Sequence, residues 1–159
     1  DAMLASVAAT NATYTESALS FMLPPDPMNL ARLKNRGAKM MVYHGISDPW
    51  FSALDTVDYY ERLGKSNGGP EQVRNWSRLF LAPGMGHCGG GNGTSTFDMV
   101  AALDAWRDGG KAPEQVNASR VRDGKVDRTR PLCAWPAVAK YKGTGSIDDA
   151  ANFACVAKP

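Results

Sequence analysis

The hydrophobic positions of the chain alternate between strand-like and helix-like spacing. Two short apolar runs, Lys39–Tyr43 and Arg78–Ala82, lack the polar alternation of a half-exposed strand, which predicts parallel strands buried on both faces. The segment between them has apolar residues at helical spacing, namely Leu54, Val57, Tyr60 and Leu63. Ser52 and Asp55 form a capping-box-like start for this helix, and Gly64 is its expected end.

A second helix is expected after the second run. It opens at Ser95–Asp98 and stops at Gly109-Gly110. Its apolar face consists of Met99, Leu103 and Trp106. Strand, helix, strand, helix predicts the α/β class with a parallel sheet. Since two strands cannot cover their own faces and edges, we expect them to join a sheet whose other strands lie outside this sequence, so that the chain is part of one domain.

The two ends of the chain carry weaker patterns. Asp1–Leu23 predicts one short helix, and Asp26-Pro27 predicts the start of a helix that ends at Gly37. Asp123-Gly124 lies between two strand-like runs and predicts a β-hairpin. The tail, Pro131–Pro159, is expected to be irregular with one short helix after Ser146.

Composition and charge exclude several classes of partner. The 159 residues include 18 basic and 16 acidic side chains that are spread evenly, so neither nucleic acid nor a membrane surface is an expected partner. No apolar run approaches the roughly 20 residues of a membrane span. The chain begins at Asp1 without a leader, so any targeting segment has been removed or lies outside this sequence.

Three cysteines bear on the redox compartment. Cys133 and Cys155 lie in the loop-rich C-terminal third, where a disulfide closing a loop of about 20 residues would contribute roughly 3 kcal/mol. Cys88 is then left over, either as a free thiol or as the partner of another chain segment. The alternative is three reduced, buried cysteines in a cytosolic protein.

Candidate chemistry follows each apolar run. Asp48 lies just after the first run, and His87 lies in the glycine-dense turn Leu81–Gly91 after the second. An acid after one strand and a histidine after the next is the chain order that completes an α/β-hydrolase triad. The alternative is that His87 is an exposed loop histidine and Asp48 an Asp-Pro turn former.

The remaining histidine and the serines limit this hypothesis. His44 precedes Asp48 by four residues, but the chain has no zinc-binding spacing, so we interpret His44 as a partly buried structural residue. No serine has the Gly-x-Ser-x-Gly frame of a nucleophile; Ser47 has Pro49 in place of the second glycine. The chain alone is therefore expected to lack a nucleophile.

Four motifs give the chain a resemblance to a known family. It resembles the C-terminal part of the tannase and feruloyl esterase family, which includes mono(hydroxyethyl) terephthalate hydrolases. The motifs are Tyr43-His-Gly-Ile-Ser-Asp-Pro49, Pro83-Gly-Met-Gly-His-Cys-Gly-Gly-Gly91, Arg130-Pro-Leu-Cys-Ala-Trp-Pro136 and Ala150-Ala-Asn-Phe-Ala-Cys155. The resemblance implies that residues 1–159 are the C-terminal portion of an α/β-hydrolase catalytic domain, without its nucleophile half and lid domain.

The resemblance also implies roles for individual residues. Asp48 is the triad acid, His87 is the base, and Cys88 pairs with a cysteine directly before the nucleophilic serine in the N-terminal part of the enzyme. Such a disulfide would hold the serine and the histidine at reacting distance. Cys133 and Cys155 form the C-terminal bridge.

The implied function is that of a secreted or periplasmic serine esterase that cleaves aromatic-acid esters of the feruloyl or galloyl type. Trp50 and Phe51 line an aromatic acyl pocket or, in the alternative, belong to the core. The family's oxyanion hole, lid and lid calcium site have no counterpart in this stretch, so we expect no cofactor or metal. This chain alone is expected to be inactive; a non-catalytic module that binds a partner chain or ligand is the alternative.

Overall fold

The computed structural model describes residues 2–22, 24 and 26–157. In chain order the elements are α1 (Ala2–Val7), α2 (Ala18–Met22), α3 (Ala31–Asn35), β1 (Met40–Gly45), α4 (Ala53–Ser66), α5 (Pro70–Arg74), β2 (Ser77–Ala82), α6 (Met99–Gly109), β3 (Gln115–Arg122), β4 (Lys125–Cys133), β5 (Val138–Tyr141), the 3-10 helix η1 (Ala150–Asn152) and β6 (Phe153–Val156). This mixture of helices and strands fits the expected α/β class. In the described part of the chain no helix is long and apolar enough to cross a membrane.

The parallel pair β1–β2 organises the fold. The two strands run in register up to Gly45 opposite Ala82, so both end at the same edge of the sheet. The prediction of burial on both faces is right for β2, in which five of six residues are buried. It is wrong for β1, whose Tyr43 is 49% exposed. The two strands differ in what packs on them: β2 contacts α4, α5 and β4, whereas β1 contacts α4 and α6 and is covered less.

Neighbouring side chains of β2 enter two separate cores. Leu79 packs on one face against α4 and α5, in the cluster Val57, Tyr60, Leu63, Val73 and Trp76. Phe80 packs on the other face against α6 and the β3–β4 hairpin, in the cluster Ala82, Met85, Met99, Val116, Ala118, Leu132 and Ala134. Both side chains are fully buried, and each contributes about 1.5–3 kcal/mol through removal of apolar surface from water.

The helix ends follow from capping side chains. Ser52 accepts a hydrogen bond from the backbone N–H of Leu54 and starts α4 as predicted, although the helix continues past Gly64 to Ser66. Asp98 caps α6 in the same way, and Gly110 ends it in a left-handed conformation.

Two helices differ from what the sequence pattern predicts. Asp26 accepts a hydrogen bond from the backbone N–H of Asn29 and closes a turn, so α3 begins only at Ala31. The hydrophobic pattern did not predict the short helix α5, which begins at Pro70. The missed helix places Val73 in the core with no exposure.

The C-terminal region confirms two predictions and contradicts one. The β3–β4 hairpin turns at Asp123 and Gly124, which both have positive φ (50° and 74°), as a type I′ turn requires. The tail is not irregular, because β5 and β6 pair antiparallel. The predicted Cys133–Cys155 disulfide is present, with a Cα–Cα distance of 5.5 Å, and it ties the end of β4 to β6.

The disulfide predicts a stability difference. A chain with Cys133→Ser and Cys155→Ser should lose about 3 kcal/mol of unfolding free energy, because its unfolded state is no longer restricted by a closed loop. Urea denaturation followed by circular dichroism measures this. In the 159-residue chain Cys88→Ser is the matched control, since Cys88 is exposed and unpaired there, and it should leave the unfolding free energy unchanged. Equal stability of the double variant and the control would contradict the prediction.

Candidate active site

Asp48 lies in the loop that leaves β1, and the loop folds around its carboxylate. Oδ1 accepts hydrogen bonds from the backbone N–H groups of Trp50 (2.9 Å) and Phe51 (3.1 Å). This is the local turn that an aspartate before a proline favours. The side chain is only 5% exposed, so the loop holds a nearly buried carboxylate with its second oxygen directed away from the turn.

His87 lies in the loop that leaves β2, and this loop doubles back tightly on itself. The N–H of Gly93 donates to the carbonyl of Gly84 (3.0 Å). A Cβ at Gly91 would overlap the Gly84 carbonyl, and a Cβ at Gly93 would overlap the carbonyl of Pro83. The loop can therefore close only with glycine at these positions, and the closure presents His87 on its outside.

The two loops touch each other through their backbones. A Cβ at Gly45, the last residue of β1, would collide with the carbonyl oxygens of Met85 and Gly86. The N–H of Ser47 donates to the Met85 carbonyl (3.0 Å). The absence of a side chain at Gly45 thus lets the acid loop and the histidine loop interlock at the carboxyl ends of the strands.

The result is a direct hydrogen bond between the predicted acid and base. Nδ1 of His87 donates to Oδ2 of Asp48 at 2.7 Å. Burial raises the pKa of Asp48, but the hydrogen bond from His87, the N–H groups of Trp50 and Phe51 and the charge of His87 outweigh it and lower the pKa to about 2. Asp48 is therefore ionised at neutral pH.

This geometry leaves His87 able to act as a base. Nδ1 carries the hydrogen that it donates to Asp48. In the neutral imidazole the available lone pair is therefore on Nε2. The side chain is 34% exposed, and among the described residues Nε2 has no hydrogen-bond partner. A hydroxyl brought to Nε2 would meet a proton acceptor whose tautomer and orientation are already set.

The two aromatic residues after Asp48 flank the imidazole. The ring centroids of Trp50 and Phe51 lie 4.8 Å and 5.5 Å from that of His87. Trp50 is 73% exposed and Phe51 is 62% exposed in this structure. They form an apolar wall beside the candidate base.

Cys88 is exposed and unpaired among the described residues, directly after His87. Its φ of 58° lies in the left-handed region, which non-glycine residues rarely adopt. No group of three or more His, Cys, Asp or Glu side chains in the described ranges is placed to hold a metal ion.

His44 is partly buried, as predicted. Its Nδ1 lies 2.6 Å from Oγ1 of Thr56, and its Nε2 lies 3.2 Å from the carbonyl oxygen of Phe51. The sequence interpretation did not identify Thr56, because a threonine within a helical pattern carries no chemical signal by itself. Both residues line a cavity of about 630 Å³ that also contains Asp48 and His87.

A larger groove of about 920 Å³ lies beside the acid loop and was not expected from the sequence. Trp50 and Leu54 line one side, and Trp135 and Val138 of the C-terminal region line it as well. The tail was predicted to be irregular, so nothing in its sequence pattern indicated that it contributes to a groove.

Similarity to known proteins identifies the family of this chain. A family model described as "Tannase and feruloyl esterase" matches residues 13–156, and the chain belongs to this family. Mono(2-hydroxyethyl) terephthalate hydrolase of Piscinibacter sakaiensis is 48% identical over 154 residues, which cover 95% of this chain and 25% of the relative. A probable feruloyl esterase of Arthroderma benhamiae is 35% identical over 131 residues, covering 80% and 24%.

Solved structures show the same fold. The crystal structure of feruloyl esterase B from Aspergillus oryzae superimposes with a TM-score of 0.76 at 25% identity, over 81% of this chain and 29% of that chain. The tannin acyl hydrolase from Aspergillus niger superimposes with a TM-score of 0.69 at 23% identity, over 81% and 24%. The chain thus spans about a quarter of the length of the curated relatives it matches.

The Asp48–His87 hydrogen bond predicts an unusual titration. The carboxyl carbon of Asp48, followed by nuclear magnetic resonance, should titrate with a midpoint near 2. In His87→Phe the midpoint should rise toward or above the ordinary 3.8, because burial remains while the strongest donor is lost. Since folding lowers this pKa, the stabilisation from the ionised carboxylate is complete above pH 3.8 and is lost as the pH falls toward 2. The same midpoint in both proteins would contradict the hydrogen bond.

Proposed function

We propose that this chain is the C-terminal segment of an α/β-hydrolase-type serine esterase that hydrolyses aromatic-acid esters. Asp48 is the triad acid, His87 is the base, and the serine comes from the N-terminal part of the same enzyme. The observation that carries the proposal is the 2.7 Å hydrogen bond between Asp48 and His87 at the carboxyl ends of two neighbouring parallel strands. Membership of the tannase and feruloyl esterase family supports the reaction class.

The chemistry follows from the tautomer of His87. Nε2 takes the proton of the serine hydroxyl as the serine oxygen attacks the ester carbonyl, and the resulting imidazolium is stabilised by the ionised carboxylate of Asp48. The imidazolium then protonates the departing alcohol, which leaves an acyl-enzyme. Water attacks the acyl-enzyme with the same assistance from His87 and releases the acid.

Cys88 is the proposed tether between the two parts of the site. It is exposed and lies next to His87, and it has no partner among the described residues. A disulfide to a cysteine directly before the serine would hold both reacting side chains close together, because the Cα atoms of a disulfide lie about 5.5 Å apart. Disulfides persist in oxidising compartments, so the Cys133–Cys155 bridge supports a secreted or periplasmic location.

The acyl group is proposed to contact Trp50 and Phe51. Both are exposed on the His87 side of the acid loop, and flat apolar rings suit an aromatic acid. The names of the relatives, a terephthalate ester hydrolase and a feruloyl esterase, refer to esters of aromatic acids and agree with this class.

The triad roles predict the kinetics of full-length variants. Asp48→Ala and His87→Ala should each lower kcat on methyl ferulate or methyl gallate about 10⁴-fold, because transition-state stabilisation is lost. Asp58→Ala is the control and should keep full activity, since Asp58 is exposed and forms an ion pair with Arg62 on the surface of α4. The 159-residue chain alone should hydrolyse neither ester. Full activity of His87→Ala would contradict the proposal and favour a non-catalytic binding module.

The tether predicts a specific linkage in the natural protein. Proteolysis without reductant should release a peptide containing Cys88 that is disulfide-bonded to a peptide containing a Cys-Ser pair. After reduction, mass spectrometry should detect the two peptides separately. A Cys88 peptide that is already free before reduction would contradict the tether while leaving the roles of Asp48 and His87 intact.

A further inference from the structure

We infer that His44 is a positioning residue of this active site: it fixes the acid loop and shares the carboxylate of Asp48 with His87. This inference rests on the proposed function. The triad roles of Asp48 and His87 do not account for a second histidine, His44, which lies near the same carboxylate oxygen as His87. Nε2 of His44 lies 3.4 Å from Oδ2 of Asp48, and the two side chains are 15% and 5% exposed.

The hydrogen bonds of His44 determine which of its nitrogens carries the proton. The carbonyl oxygen of Phe51, 3.2 Å from Nε2, can only accept, so Nε2 carries hydrogen. In the neutral ring Nδ1 is then the acceptor, and the hydroxyl of Thr56 donates to it over 2.6 Å. One imidazole therefore joins β1, the acid loop and helix α4.

Phe51 is the residue through which His44 acts on the loop. Its N–H donates to Oδ1 of Asp48 (3.1 Å), and its carbonyl accepts from His44. Holding the carbonyl restrains the backbone that also aims the N–H at the carboxylate. The same backbone carries the Phe51 ring, whose centroid lies 5.5 Å from that of His87. His44 thus supports both the acid and the aromatic wall of the site.

The second effect of His44 is electrostatic. Oδ2 of Asp48 accepts from Nδ1 of His87 at 2.7 Å, while the N–H of His44 is a further positive pole near the same oxygen. Without this pole, the negative charge of Asp48 acts on His87 alone and stabilises its protonated form more strongly. In a plot of kcat/KM against pH, the fall in activity on the acidic side, the acid limb, should then move to higher pH, because His87 must be neutral to act as a base.

Other titratable groups face the cavity that contains His44, Asp48 and His87, and they must stay the same in any variant used to test this effect. They are Tyr43 on β1, Asp55 and Tyr59 on α4, and Cys88 in the histidine loop. None of them is altered by a substitution at position 44, so a shift of the acid limb in such a variant reports on the contact between His44 and Asp48.

The test compares two substitutions in the full-length enzyme. His44→Phe keeps a flat ring but removes both nitrogens, whereas His44→Gln restores an N–H donor near the position of Nε2. In His44→Phe we expect kcat to fall by about tenfold or more, with a larger effect on kcat than on KM and an acid limb moved to higher pH. His44→Gln should recover most of kcat and return the acid limb toward its original position.

Several outcomes would overturn the inference. One is a His44→Phe enzyme with the kcat and the acid limb of the wild type. Another is an equal loss of kcat in His44→Phe and His44→Gln without a shift of the acid limb, because His44 would then only fill space. If His44→Phe does not fold, Thr56→Val decides the question. It keeps the side-chain shape but removes the donor to Nδ1, so kcat should fall and the acid limb should move the same way; an unchanged Thr56→Val enzyme overturns the inference.

Asp48→Ala and His87→Ala are measured in parallel. If either retains full activity, the proposed function has failed. If both are inactive while His44→Phe behaves as wild type, the proposed function stands and only the inference about His44 is overturned.

Discussion

The hydrogen bond between Asp48 and His87 depends on the register of one parallel strand pair. Because Gly45 lies opposite Ala82, the loops after β1 and β2 leave the sheet at the same level and can meet. They meet backbone to backbone, since Gly45 has no side chain to separate them. A distance of 2.7 Å between two side chains from different loops requires both of these conditions.

Strand β2 supplies the rigidity that such a contact needs. Leu79 and Phe80 point to opposite faces and anchor the strand in two cores, one formed with α4 and α5 and the other with α6 and the β3–β4 hairpin. Strand β1 is less buried, because the elements that contact it, α4 and α6, cover less of it than α4, α5 and β4 cover of β2. The acid loop compensates for this through local contacts, in which His44 and the N–H groups around Asp48 hold the carboxylate.

The electrostatics of the site are a balance between burial and hydrogen bonding. Burial alone would raise the pKa of Asp48, yet its hydrogen bonds and the charge of His87 keep the pKa at about 2. A buried carboxylate that stays ionised can fix the tautomer of one histidine and stabilise its protonated form. The same carboxylate lies 3.4 Å from a second histidine, His44 of β1, whose other ring nitrogen contacts Thr56 of α4.

The sequence by itself determined the class of the fold, both central strands, helices α4 and α6, the hairpin turn at Asp123-Gly124, and the cysteines of the C-terminal disulfide. It could do so for the strands, helices and turn because periodicity, capping and turn chemistry are local properties. It also indicated Asp48 and His87 through their positions after consecutive strands. Only the tertiary structure decided that Trp50 and Phe51 flank His87, that His44 contacts Asp48, and that the tail forms a β5–β6 pair. These features depend on contacts between distant segments and on which strand edge is covered, and neither is recorded in local spacing.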